Sequence, residues 1–295
     1  MNILLFFAKD KIASKNLFNL INNKYEFNLI ETKNNSELYN VKELNCHAIN
    51  FDSNMINWDH IKDEFKLDYD LILVASSHKA ESGTKSLTLH FTGNFNEIMG
   101  SGNAKELSYA PAFICSKGIQ ILNERNDKNF LNFEISLETT HHGPTSLNIP
   151  LVFIEVGSSE NEWNDINAIK TLSEAIIDII IYFSNEKNYK EELNKDSYIG
   201  FGGGHYAQEF SKIALMGINF GHIAPKHYID SLDNNMLNQM IKKTIPKPKG
   251  IIIDWKSLNT QTREKIVPFF EKNNYIILKS DKLKKELRNE IIIKE

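Results

Sequence analysis

The sequence predicts an α/β protein built on a mixed, largely parallel sheet with helices on both faces. Three observations carry this expectation. Short continuous apolar runs such as DLILVAS and LVFIEVG have the character of buried parallel strands. Segments with helical spacing alternate with them, the strongest running through Ile166, Ile169, Leu172, Ile176 and Ile180. A chain of 295 residues that is 41% hydrophobic and 24% charged can bury a core for one large α/β domain or two smaller ones.

Taken in order, NILLFFA reads as a buried strand, and a helix follows with Leu17, Leu20 and Ile21 on one stripe. FNLIET and HAINF are strand candidates. Polar punctuation then leads into DLILVAS, which ends at Ser76-Ser77-His78, and a loop with Glu81 and Gly83 connects to SLTLHFTG. Residues 104–125 have helical spacing, with Pro111 and Gly118 marking a kink or break. NFEISLETT is a strand that stops at His141-His142, because Gly143-Pro144 follows at once. LVFIEVG ends at Glu155, Gly157, Ser158 and Ser159. Glu160, Glu162 and Trp163 then form a surface turn before the long helix, which Asn164 or Asp165 starts.

SYIGF runs into Gly202-Gly203-Gly204-His205, with His205 starting the next helix, YAQEFSKIALM. INFGHIAP returns as strand and KHYIDSLDNNMLNQMIKK as helix. GIIIDW, SLNTQTREKIVPFFEKN and YIILK close the chain, with Ser257 or Thr260 as the helix cap. We expect one α/β hydrolytic domain over residues 1–295. The Lys- and Pro-rich turn at 246–249 is its only seam, and 246–295 form a strand-helix-strand extension packed on the rest.

Two distant cysteines, Cys46 and Cys115, form no CxxC pair, which argues against a disulfide framework or a thiolate zinc module. The apolar start is too short for a secretory segment, and AIIDIIIYF, interrupted by Asp178, falls short of a membrane span. A soluble, cytoplasmic, monomeric protein is expected, with no membrane contact. A net charge of −4 does not suit a DNA binder. Lysine clusters at Lys242, Lys243, Lys247 and Lys249, and at Lys279, Lys282, Lys284 and Lys285, leave local RNA contact open.

Strand carboxyl ends are where open α/β sheets bind ligands. His78 follows one such strand, His90 lies within the next, His141 and His142 end a third and His205 follows the glycine run, so one shared edge would bring them to one crevice. Two chemistries compete there. Neutral imidazoles with Glu155 could hold one or two zinc ions, or a histidine could act as general base with a neighbour fixing its tautomer. No HExxH spacing decides between them. Glu81, Glu138 and Glu155 are placed as ligands, bases or orienters, and Ser158 and its neighbours as hydrogen-bond donors. The glycine run lets backbone approach a ligand, and free N–H groups of the following helix would suit an anion or an ester oxyanion. His222 and His227 read as structural.

The segments SSHKAESGTKSLTLHFTGN, ETTHHGPTSLNIPLVFIEVGSSENEW and GFGGGHYAQEF together resemble the archaeal and plant type of D-aminoacyl-tRNA deacylase, from about Leu71 to Trp255. The resemblance implies a phosphorylase/hydrolase-like fold and hydrolysis of the ester that joins a D-amino acid to the 3′-terminal adenosine of tRNA, with zinc as cofactor. It implies catalytic roles for His78, Glu81, His141, His142 and His205, and metal ligation by His90, His141, His142, Glu155 and His205. Gly143, Pro144, Thr145, Ser158, Gly203 and Gly204 would contact the substrate, with Gly143-Pro144 as a rigid wall against the L-isomer. Ser77, Gln208 and Glu209 stand where the family often carries other, partly basic, residues. A zinc aminopeptidase or amidohydrolase of related fold, and a non-catalytic module that binds tRNA acceptor ends, are the alternatives.

Overall fold

The computed structural model describes residues 1–52, 65 and 68–294. Its main sheet has eight strands: β1 (Ile3–Ala8), β2 (Asn28–Lys33), β3 (Ser36–Val41), β4 (Cys46–Phe51), β5 (Leu71–Lys79), β6 (Ser86–Phe91), β10 (Glu134–Leu137) and β11 (Leu151–Ser158), in the order β10-β6-β11-β5-β1-β4-β3-β2. The β10–β6, β11–β5, β5–β1 and β1–β4 pairs are parallel; β6 runs antiparallel to β11, and β3 is antiparallel to both β4 and β2. The two-residue strands β7 (Gly93–Asn94) and β8 (Glu106–Leu107) pair together, as do β9 (Ala110–Pro111) and β14 (Thr244–Ile245).

A second sheet, with strands β12 (Ser197–Phe201), β13 (Asn219–Ala224), β15 (Gly250–Ile253) and β16 (Ile276–Lys279), is parallel throughout in the order β13-β12-β15-β16. Residues 246–295 therefore supply two of its four strands.

Period-2 alternation sorts the first sheet's side chains. Ile3, Leu5, Phe7, Leu71, Leu73 and Ala75 face a core shared with the helices Ile12–Lys24, Ala112–Lys128 and Ile166–Ser184. Leu4, Phe6, Ile72, Val74, Leu151 and Phe153 face the opposite side, with Phe65 and Leu147. The helix Ala112–Lys128 packs on β6, β10 and β13, so it joins the two sheets. The second sheet's other face packs Ile199, Phe201, Ile251 and Ile253 on Leu237, Met240, Ile266 and Phe270 of the helices Asn234–Lys243 and Thr260–Lys272.

Several expected boundaries move. Residues 104–111 are not helical: Pro111 has no N–H to give, and the helix begins behind it at Ala112. The expected single helix after INFGHIAP is two, Lys226–Ile229 and Asn234–Lys243, because Asp233 caps a fresh start through a bond from Met236 N. Asn259, rather than Ser257 or Thr260, caps the helix Thr260–Lys272 by accepting from Thr262 N. Asp165 caps the long helix as expected, accepting from Asn167 N and Ala168 N. Glu160–Trp163 is a short helix and not an open turn. Ser159 and Glu162 close a capping box there, and Glu162 is buried. Among the described residues no helix is long and apolar enough to cross a membrane.

Candidate active site

The same alternation that buries Ile72 and Val74 carries Ser76 and His78 onto that face at the carboxyl end of β5. Phe153 and Glu155 of β11 share it, and the antiparallel register sets His90 of β6 directly opposite Phe153, their rings stacked 5.1 Å apart. A Cβ on Gly157 would lie 3.1 Å from the Cβ of His78, so the glycine gives that imidazole its room.

The strand expected to end in the histidine doublet stops earlier, at Leu137. Beyond it the chain crosses to the second sheet. Glu138 N donates to Leu89 O, Thr139 N to His205 O and Thr140 N to Ile223 O, while His142 O accepts from Gly93 N. Residues 138–142 thus stitch the two sheets, and the imidazoles gather at the seam. Ring centres lie 4.2 Å apart for His90 and His141, 4.6 Å for His141 and His142, 4.6 Å for His141 and His205, and 4.9 Å for His78 and His205.

Glu138, with its side chain fully buried, is the hub. His205 Nε2 stands 3.1 Å from its carboxylate, His78 Nδ1 3.3 Å and His141 Nε2 3.6 Å. Glu155 faces His90 Nε2 at 3.5 Å and His78 Nδ1 at 3.8 Å. The Nδ1 atoms of His90, His141 and His142 lie 3.2, 2.8 and 2.6 Å from the carbonyls of Phe91, Thr139 and Gly143. A carbonyl only accepts, so each Nδ1 carries the proton and each Nε2 presents a lone pair. Those of His90 and His141 point at carboxylates, acceptor against acceptor. His78 Nε2, His90 Nε2, His205 Nε2 and both Glu138 oxygens are buried without an aligned hydrogen bond.

Burial, with the neighbouring imidazoles, drives the His141 pKa well below its usual value and that of His142 to about 4, so both are neutral at pH 7. Burial would raise Glu138, but His205, His90, His141 and His78 together outweigh it and hold the carboxylate ionised. At His90 burial opposes the charge, and the facing carboxylates of Glu155 and Glu138 outweigh it, raising the pKa.

Three groups have ligand atoms that all lie within 4.8 Å of one another: His90, His141 and His142; His78, Glu138 and His205; and His90, Glu138 and Glu155. Imidazoles held from behind by backbone carbonyls, those of His141 and His142 neutral, beside the ionised carboxylate of Glu138 and that of Glu155 are the donor set of a divalent metal. One proton on His90 would satisfy Glu155 but could not satisfy the other converging lone pairs.

The cluster opens into two adjoining hollows. One, of about 450 Å³, is lined by Ser77, His78, Lys79, His141, His142, Glu155 and His205. The other, of about 550 Å³, shares several of these and adds Ile12, Met99, Phe153 and Trp163.

The structure brings together His78, His90, His141, His142, His205 and Glu155, and adds Glu138 as their centre. Glu81 stands on an exposed turn and takes no part in the described contacts of the cluster, because β5 has carried the chain past the seam. Thr145 is buried behind the doublet, its hydroxyl donating to Glu106 at 2.6 Å and accepting from Asn103 N, and Ser158 spends its hydroxyl on Thr84 O. Gly143 packs on backbone, where a Cβ would meet Gly102 N at 2.5 Å, and Pro144 O accepts from Thr92 Oγ1. This pair braces His142 from behind and does not line either hollow. Gly203, at φ +75°, donates its N–H to Ser257, and the helix starts at Gln208 rather than at His205, so the expected helix N-terminus is displaced from the site. Trp163, read as a surface residue, donates Nε1–H to His78 O. The Ser159-x-x-Glu162 capping box, legible in the sequence, would have ordered it. His222 and His227 lie outside the cluster; His222 bonds Thr140 Oγ1 at 3.1 Å and Ser108 O at 3.0 Å.

Comparison with known proteins agrees over most of the chain. Residues 65–278 match the family model of D-aminoacyl-tRNA deacylase. The D-aminoacyl-tRNA deacylase of Methanococcus vannielii is 34% identical over 278 residues, covering 92% of this chain and 97% of that protein. That of Saccharolobus solfataricus is 37% identical over 207 residues, covering 70% and 81%. A crystal structure of a conserved protein of unknown function superposes with a TM-score of 0.85 at 28% identity, covering 96% of this chain and 97% of that one.

Proposed function

We propose, from the premise that this chain belongs to the D-aminoacyl-tRNA deacylase family, that the seam of histidines around Glu138 is where it works. The chain is an aminoacyl-tRNA ester hydrolase that releases free D-amino acid and tRNA. The finer points are ours: which residues do the chemistry, that zinc assists, that the acceptor end enters the hollow, and that the protein acts as a cytoplasmic monomer.

The observation that carries the site is that His90 and His141, their Nδ1 atoms held by carbonyls, turn Nε2 lone pairs on the buried carboxylates of Glu155 and Glu138. His90, His141 and His142 would hold the zinc, with Glu138 and Glu155 balancing its charge. Bound there, zinc would supply Lewis acidity for an ester carbonyl and lower the pKa of water toward ~7.

The chain's own residues account for the proton. His205 stands at the mouth with its side chain 40% exposed and Nε2 turned to Glu138. Water attacks the carbonyl carbon and gives a proton to the other ring nitrogen, Nδ1, while Glu138 steadies the imidazolium. As the carbon–oxygen bond to the ribose breaks, the same proton passes to the departing 3′-oxygen. The carbonyl carbon keeps the new hydroxyl, and the products are an amino acid and a ribose hydroxyl. Ile12, Met99, Phe153 and Trp163 give the larger hollow an apolar wall for one flat or apolar group of the substrate.

The test measures hydrolysis of D- and L-tyrosyl-tRNA before chelation, after it, and after zinc is restored. Turnover of the D-form alone, lost and regained with zinc, is the expected result. Full activity after chelation, with bound zinc verified absent, removes the metal and leaves His205 acting without it.

A further inference from the structure

We propose that Trp255, Arg263 and Lys279 form a clamp for the phosphodiester backbone of the RNA substrate. The inference rests on the aminoacyl-tRNA reading of the chain and adds where the RNA is gripped. Because the second sheet is parallel throughout, the carboxyl ends of its strands share one edge. The glycine run leading to His205 leaves β12 there, Asp254 to Ser257 leave β15, and β16 ends in Lys279. These loops touch: Gly203 N donates to Ser257 Oγ at 2.9 Å, and a Cβ on Gly202 would lie 2.5 Å from the same oxygen. Chain geometry then keeps the backbone of Trp255 within roughly 20 Å of that of His205.

At this edge two cations are gathered on one ring. The Arg263 guanidinium carbon is 4.7 Å and Lys279 Nζ 3.9 Å from the centre of the Trp255 indole. Arg263 is fixed further, Nη1 donating to Trp255 O at 2.9 Å and Nη2 to Thr260 Oγ1 at 3.1 Å. An indole face attracts each cation, while the cations repel each other.

Two lysines that flank the clamp have carboxylate partners: Lys256 is 3.6 Å from Asp281, and Lys284 pairs with Glu209. Among the described residues, Arg263 and Lys279 have no such ion pair, although Glu264 lines the adjoining cleft of about 280 Å³. A preorganised, charge-uncompensated Arg–Lys pair matches a backbone of repeating anions. At a net charge of −4 the molecule has no general pull on RNA, so a grip has to be local.

The test is equilibrium binding of uncharged tRNA to the wild type, to R263Q/K279Q and to the charge-keeping R263K/K279R over a salt series. With a single-strand contribution of ~0.7 per phosphate contact, R263Q/K279Q should lower the log–log salt slope by about 1.4 and weaken low-salt binding roughly tenfold. R263K/K279R should keep the wild-type slope. Identical slopes and affinities for the wild type and R263Q/K279Q overturn the clamp.

Hydrolysis separates the clamp from the site. For R263Q/K279Q, KM should rise for D-aminoacyl-tRNA and stay unchanged for D-aminoacyl-adenosine, which lacks the backbone, with kcat kept for both. Equal changes for the two esters would mean a shift passed through Ser257 to the glycine run, and would also overturn the clamp. A wild type that shows the clamp's salt signature yet cleaves neither ester supports the clamp and removes the deacylase reading instead.

Discussion

Two kinds of buried histidine meet at the seam. His222 of β13 is fully buried, with Nε2–H donated to Ser108 O and Nδ1 accepting from the Thr140 hydroxyl. His141, one residue beyond Thr140, uses Nδ1 on a carbonyl and leaves Nε2 facing the Glu138 carboxylate at 3.6 Å. Burial lowers both pKa values and so does not tell them apart. The count of lone pairs does: an imidazole with both nitrogens answered is structure, and one aimed at another acceptor awaits a proton or a metal.

That contrast breaks most readily at Glu138. E138Q removes the charge on which three imidazoles converge, so D-aminoacyl-tRNA turnover should fall more than about 100-fold and zinc retention by about 10–100-fold. Initial rates and metal content after dialysis measure both, and near-normal values for the two would return Glu138 to a structural role.

H222F should act in the opposite way. It leaves the Thr140 hydroxyl proton and Ser108 O without their His222 partners and should cost about 3 kcal/mol in urea unfolding, with zinc retention little changed. A variant that loses zinc without losing stability would invert the contrast. The same residue sets a pH dependence. Its folded pKa is about 3 against an ordinary 6.5, so the unfolded chain binds the extra proton between these values. Its share of stability is complete above pH 6.5 and is lost as pH falls toward 3, by at most ~1.4 kcal/mol per pH unit. Urea midpoints against pH should flatten in H222F over that window.

G143A probes the brace behind the doublet. The added Cβ would meet Gly102 N at 2.5 Å and the Ser101 carbonyl carbon at 2.6 Å, both backbone, so a loss of about 2 kcal/mol is expected. Stability unchanged in thermal melts would show that the 101–102 loop yields. The smallest effect belongs to E81A on its exposed turn: less than ~0.5 kcal/mol in stability and turnover within twofold. A large loss of activity there would restore Glu81 to the chemistry.

The alternation of strands and helices was legible because burial has a period. Leu71–Lys79 and Leu151–Ser158 announce themselves as buried strands, and Asp165 announces the long helix. The same periodicity, run on past the apolar residues, already places His78 and Glu155 on a known face. The helix drawn through residues 104–111 went wrong because apolar spacing there comes from short bridges: β8 pairs back on β7 just before it, and β9 pairs with β14 far along the chain.

The sequence by itself determined which strand ends carry imidazoles and carboxylates, since side-chain direction along a strand is local. Tertiary structure decided which of them meet. Glu138 became the centre and Glu81 did not because the 138–142 segment bonds to both sheets, through Leu89 O on one and Ile223 O on the other. The loops at the edge of the second sheet were likewise brought beside the glycine run by pairings between strands distant in sequence. Such contacts depend on register and on loop closure across many residues, which no local pattern of side chains encodes.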